Sequence, residues 1–219
     1  MSDKNITKRL LSIHRCLSIF FGPLNWWPGD SSLEIIVGAI LTQNTNWQNV
    51  SKTIEKIKEE GLLDVKVLFY VNEQYLSQII KSCGYYNLKA KRLKNFIRFF
   101  YQKYDGSIKK MFNRDWRLLR RELLAINGIG LETADSILLY AGEKPVFVVD
   151  AYTRRVFQQH KHISREDSYA QIQQYFMNHL PRDYRLYNEF HAQIVMVGKN
   201  YCKHKNPNCR DCPLSKFLS

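Results

Sequence analysis

The chain has 219 residues, of which 45% are apolar and 13% aromatic, enough for the core of one large domain or two small lobes and too many for a disordered chain. Lysine and arginine number 33 against 20 acidic residues, and the formal charge of +13 favours a polyanionic partner, nucleic acid first. No window approaches the roughly 18 to 20 apolar residues of a membrane span, and Met1-Ser2-Asp3-Lys4 opens no signal-peptide pattern, so the expectation is a cytoplasmic protein with no membrane partner.

Apolar positions recur with helical period along most of the chain, beginning with Leu10, Leu11, His14 and Leu17. After breaks at Gly22-Pro23 and Pro28-Gly29, Ser31-Ser32-Leu33-Glu34 has the form of a capping box. It predicts a helix over about 32–42, with Leu33, Ile36, Val37, Ile40 and Leu41 on its apolar face. That helix ends in Leu41-Thr42-Gln43-Asn44-Thr45. Further breaks at Gly61, Gly84 and Asp105-Gly106 divide the middle of the chain, and the stretch Gly84-Tyr85-Tyr86-Asn87-Leu88-Lys89-Ala90-Lys91 leads into a basic helix.

Between two apolar helical stretches, Trp116 to Ile126 and Thr133 to Ala141, lies Leu124-Ala125-Ile126-Asn127-Gly128-Ile129-Gly130. Gly128 and Gly130 allow a tight turn and a close approach of the backbone to a ligand, while Ile129 plugs the hairpin into the core. The amides opening the second helix then face outward, an arrangement that holds phosphate without reading bases. A plain helix–turn–helix connector uses the same residues. The run Pro145-Val146-Phe147-Val148-Val149 is strand-like but isolated, and reads as a buried extended connector leading to Asp150, itself well placed to cap the helix that starts at Ala151. The breaks imply about nine or ten short helices in a mainly helical fold. Five cysteines, with three bunched as Cys202-x6-Cys209-x2-Cys212, suggest reduced thiols and a metal site rather than disulfides.

The segment from Ile126 to Val156 resembles the hairpin and catalytic-aspartate region of the endonuclease III superfamily, the helix-hairpin-helix DNA glycosylases. The likeness extends to the Leu41–Thr45 helix end, the Gly84–Lys91 stretch and the cysteine loop, spanning about residues 26 to 214. It implies an all-α, two-lobed fold: a six-helix barrel over 32–142 containing the hairpin, and a terminal lobe from 1–31 and 143–219, with the DNA site in the cleft between them. A monomer acting on damaged double-stranded DNA in base excision repair is the corresponding expectation.

By the same resemblance Asp150 is the catalytic carboxylate, placed to stabilise the positive charge that builds on the sugar as the glycosidic bond breaks. Bifunctional members carry a lysine just after the hairpin; here the residue is Glu132, which cannot form an imine, so strand cleavage by that route is not expected. Ala39 stands where adenine-specific members have a glutamate. Around the pocket the chain most resembles the 3-methyladenine glycosylase III branch, with Trp26, Trp27, Pro28 and Trp47 in the positions of an aromatic base pocket beside Glu132. Such faces suit a flipped, positively charged alkylpurine, although both tryptophans of the pair also serve as ordinary core. Gln43 and Asn44, read as solvent-exposed at a helix end, are placed to fill the gap left by the flipped base. Gly128, Ile129, Gly130 and Thr133 would hold the DNA backbone, and Lys89, Lys91, Arg92 and Lys94 would neutralise phosphates. Monofunctional excision of alkylated purines is the leading expectation. An enzyme for oxidised or deaminated bases and a non-catalytic DNA-binding module are its rivals.

The three spaced cysteines reproduce the first three ligands of the family's iron–sulfur loop. Its fourth cysteine would fall at Leu218. A cluster with a non-cysteine fourth ligand, a zinc ion with His204, and a metal-free loop held by packing all remain open. Cys16 and Cys83 lie in other helical contexts and are poor candidates for the missing ligand.

Overall fold

The computed structural model describes residues 3–218. Among them are twelve α-helices and no strand: α1 (Asp3–Phe21), α2 (Ser32–Leu41), α3 (Trp47–Glu59), α4 (Val65–Tyr70), α5 (Glu73–Ile79), α6 (Tyr86–Tyr104), α7 (Ile108–Phe112), α8 (Trp116–Leu124), α9 (Leu131–Ser136), α10 (Ala151–Gln159), α11 (Tyr169–His179) and α12 (Tyr184–Asn200). The count exceeds the nine or ten expected because polar caps start short helices where glycine and proline give no signal. The Asp64 side chain accepts from Val67 N, and Asn72 does the same for Gln74 and Tyr75.

Two compact units emerge, Pro28–Lys144 in the middle of the chain and Met1–Trp27 with Pro145–Ser219 from its ends. In the middle unit α2 is apolar on nearly every side, and Ile36, Val37, Ile40 and Leu41 are fully buried, as befits a helix at the centre of a core. Ser31 caps it through Glu34 N at 3.2 Å. The expected reciprocal arm differs: Glu34 receives the Asp30 amide instead of that of Ser31, and also faces Lys58 at 2.8 Å. Along α6, Leu93, Phe96, Ile97 and Phe100 point inward at helical spacing.

Helices α8 and α9 are locked by a bidentate pair. Arg120 donates from Nε to Asp135 Oδ1 at 2.6 Å and from a terminal nitrogen to Oδ2 at 2.9 Å, with the Asp135 carboxylate wholly buried. The continuation of α9, Ile137–Ala141, widens into a π turn, closed by Gly142 N on Ile137 O. A side chain at Gly142 would collide with the Phe112 ring, its Cβ only 2.5 Å from two ring carbons.

In the terminal unit Leu10, Ile13 and Leu17 form the buried stripe of α1, which packs on α11 and α12. An aromatic cluster fills the centre, with Phe147 stacked on Phe176 at 4.0 Å and Phe157 and Phe190 against their edges. The run 145–149 forms no strand, and its residues 146–149 are buried. Its backbone polar groups are met by side chains: Gln173 Nε2 donates to Phe147 O at 2.6 Å, and Val149 N donates to the Tyr169 hydroxyl at 3.4 Å. No helix among the described residues is long and apolar enough to cross a membrane.

Candidate active site and nucleic-acid contacts

The hairpin lies entirely within the middle unit. Gly128 adopts φ +96°, a left-handed conformation, and a Cβ there would come within 2.3 Å of Arg92 Cγ, so both backbone and neighbour demand glycine. Ile129 is 5% exposed and anchors the turn as expected. Gly130 caps α9 in an extended conformation with no side-chain cap, and nothing stands within 4 Å of where its Cβ would be. Gly128, Gly130, Leu131 and Glu132 line a pocket together with Gln43, Asn44 and Arg92. The second hairpin helix starts two residues before the expected Thr133, placing Glu132, exposed, in its first turn and burying Thr133.

Gln43 departs from its expected exposure. Its Nε2 donates to Gly128 O at 3.0 Å and to Thr133 Oγ1 at 2.9 Å, while its Oε1 accepts from the Arg92 guanidinium. Two of these hydrogen bonds hold the side chain on the hairpin, and the third ties it to α6. Asn44, in left-handed conformation at φ +54°, is the exposed member of the pair.

Two of the four proposed phosphate ligands point the wrong way. Lys89 is 1% exposed and donates from Nζ to Thr45 Oγ1 and to Cys83 O. Burial pushes its pKa down, and the nearby Arg92 charge pushes the same way. Lys94 is 4% exposed, its ammonium spent on the carbonyls of Leu68, Phe69 and Val71 at the end of α4. Long aliphatic stems bring both ammonium groups to orphan carbonyls inside the fold, which the sequence alone does not reveal. Lys91 is exposed, and Arg92 is half-buried against Gln43.

The catalytic candidate belongs to the terminal unit. Asp150 caps α10, its Oδ1 accepting from Thr153 N at 2.6 Å, so the local capping role holds. The imidazole of His191, from α12, faces the same oxygen with Nε2 at 3.7 Å, and the side chains are 5% exposed for His191 and 14% for Asp150. Burial alone would raise the Asp150 pKa; attraction to His191 and the Thr153 hydrogen bond reverse it and hold the carboxyl below its usual range. His191 was not among the sequence candidates, because a histidine one helix away carries no motif linking it to the aspartate.

Trp26 and Trp27 are half-buried in the terminal unit, their rings edge to face at 5.9 Å, and so are not closed core. Pro28, exposed, and Trp47, half-buried at the start of α3, belong to the middle unit. Ala39 is buried within α2.

Cys202, Cys209 and Cys212 line one cavity of about 570 Å³ in the terminal unit, together with Arg154, Arg155 and Leu218. Burial raises the thiol pKa of Cys202 and Cys212. Cys16, expected to be remote, folds onto this loop and donates its thiol to Pro213 O at 3.3 Å, yet it does not line the cavity. Nε2 of His204 meets Arg155 at 3.1 Å. Among the described residues no three histidine, cysteine, aspartate or glutamate side chains converge on one ion.

Comparison with known proteins decides the lineage. Residues 37–182 match the model of the HhH-GPD superfamily of base excision DNA repair proteins. The chain belongs to that family. A protein of Methanocaldococcus jannaschii assigned as a DNA repair glycosylase is 44% identical over 98% of this chain and 97% of its own length. Endonuclease III of Bacillus subtilis is 28% identical over 64% of the chain and 59% of its own. Among solved structures, Helicobacter pylori 3-methyladenine DNA glycosylase bound to 1,N6-ethenoadenine superposes with TM-score 0.76 at 30% identity, covering 91% of this chain and 98% of that one. A non-covalent endonuclease III–DNA complex shares the fold with TM-score 0.82 at 21% identity, covering 100% and 95%. This HhH-GPD protein is thus a DNA glycosylase of base excision repair at the level of its family, with the all-helical fold of that family.

Proposed function

We propose that this glycosylase excises alkylated purines such as 3-methyladenine from duplex DNA and leaves an intact abasic strand. Glu132 is the observation that carries the reading: the position that follows the hairpin offers a carboxylate where an imine-forming amine would be needed for strand cleavage. Asp150 is the proposed catalytic carboxylate, its negative charge favouring the positively charged transition state. A purine alkylated at N3 or N7 is itself cationic, which makes it a good leaving group and an attractive guest for the faces of Trp26 and Trp27. The hairpin glycines and the opening amides of α9 serve as the phosphate clamp, and Asn44 is the exposed candidate to enter the stack. The 30% identity with an enzyme named for 3-methyladenine supports the substrate class.

A panel of single-lesion duplexes tests the proposal. Release of methylated adenine with no borohydride-trapped adduct is expected. Nicking of oxidised-pyrimidine duplex through a trapped adduct, with no methylated base released, would overturn both substrate and mechanism.

The cysteine cavity is proposed as the seat of a structural iron–sulfur cluster. Three thiols lining a space this large, flanked by Arg154 and Arg155, support an anionic multi-iron group there. Such a group would cross-link the loop. Iron and sulfide analysis of anaerobically purified protein should find both elements, and their absence would remove the cluster while leaving the glycosylase reading intact.

A further inference from the structure

The inference rests on the reading of Asp150 as the catalytic carboxylate and concerns what holds that carboxylate in place. Its two oxygens are not equivalent. Oδ1 accepts from Thr153 N at 2.6 Å and faces His191 Nε2 at 3.7 Å, while the cap makes no use of Oδ2. The imidazole approaches from α12, the helix packed most extensively on α10. Its ring is set by the surrounding core: it stands edge-on to Phe147 at 6.2 Å and 77° and is 4% exposed.

We infer that His191 is a positioning residue for the glycosylase reaction, clamping Oδ1 of Asp150 together with the Thr153 amide so that the other oxygen is presented to the sugar. A carboxylate acts most strongly on a developing cation when water is excluded, but exclusion of water also penalises the charge itself. One backbone amide is a modest compensation. A fixed imidazole on the same oxygen lets the carboxylate be shielded and charged together, and it prevents rotation that would exchange the two oxygens.

Four other ionisable side chains on the packed elements are turned elsewhere. Arg154 donates to Asp167 O, Arg155 to the carbonyls of Gly198 and Cys202, and Glu189 accepts from Leu24 N. On α1, His14 is held by Gln193 at 2.9 Å. None of them takes the place of His191 at Oδ1.

Wild type, His191→Gln and His191→Phe are compared in single-turnover base release across pH, in affinity for abasic duplex, and by carbon-13 titration of the Asp150 carboxyl. Gln keeps a polar side chain at this position without the imidazole, whereas Phe keeps a ring alone. The Phe variant should move the acid limb of the rate profile and the carboxyl titration upward together, by about 1 pH unit, and lose about tenfold in rate where wild type is still ionised. The Gln variant should fall between, and abasic-duplex affinity should stay within about twofold in both, since only the reacting centre is altered. Identical carboxyl titration in all three proteins would overturn the inference. If Asp150→Asn kept wild-type turnover, the catalytic reading of Asp150 would fail instead, and the carboxyl titration, which needs no turnover, would still decide what His191 does.

Discussion

Asp150 closes the first turn of α10 with one oxygen, and a helix cap of this kind is itself worth about 1 kcal/mol. Capping and the proposed chemistry therefore select the same residue. Because its folded pKa is depressed, the carboxylate contributes stability that is complete above the ordinary carboxylate range and is lost as pH falls through the lowered value. Activity that depends on the ionised form should persist into mildly acidic solution for the same reason. Glu132 makes the complementary point about what the site lacks. It is exposed in the first turn of α9. Glu132→Lys should leave folding unchanged and create a borohydride-trappable adduct on abasic or alkylated duplex. Absence of any adduct, with base release retained, would show that an amine at 132 does not reach the sugar.

At the scale of elements the hairpin is the feature whose local chemistry and tertiary contacts agree most closely. Gly128→Val sets a β-branched residue at φ +96° and drives it into Arg92, whose guanidinium holds Gln43, so it should weaken duplex binding at least tenfold in a folded protein. Gly130→Ala meets open space in the free protein and should fold normally. A fluorescence anisotropy titration of both variants checks the contrast; equal binding by wild type and Gly128→Val would refute the role of the hairpin. Much of this was legible in the residues: the Ser31 cap, the two glycines around a buried Ile129, and the apolar run before Asp150 each announce their geometry locally. The inward turn of Lys89 and Lys94, the hold on Gln43 and the approach of His191 were not. Each depends on which carbonyl or carboxylate a long side chain meets after packing, and periodicity is silent about that. The buried Arg120–Asp135 pair belongs to the same class, since only the folded α8 and α9 bring its partners together.

The molecule as a whole carries a +13 charge on a fold shared with DNA glycosylases, so phosphate attraction supplies affinity for any duplex while chemistry is confined to a few residues. Methylated duplex therefore separates the account from its rivals better than binding does. The decisive measurement is a denaturing gel of end-labelled, 3-methyladenine-containing duplex incubated with the protein, with and without a subsequent hot-alkali step. A full-length strand before alkali and cleavage at the lesion after it are expected. A strand already cut before alkali, or one that alkali leaves whole, would contradict the proposed reaction.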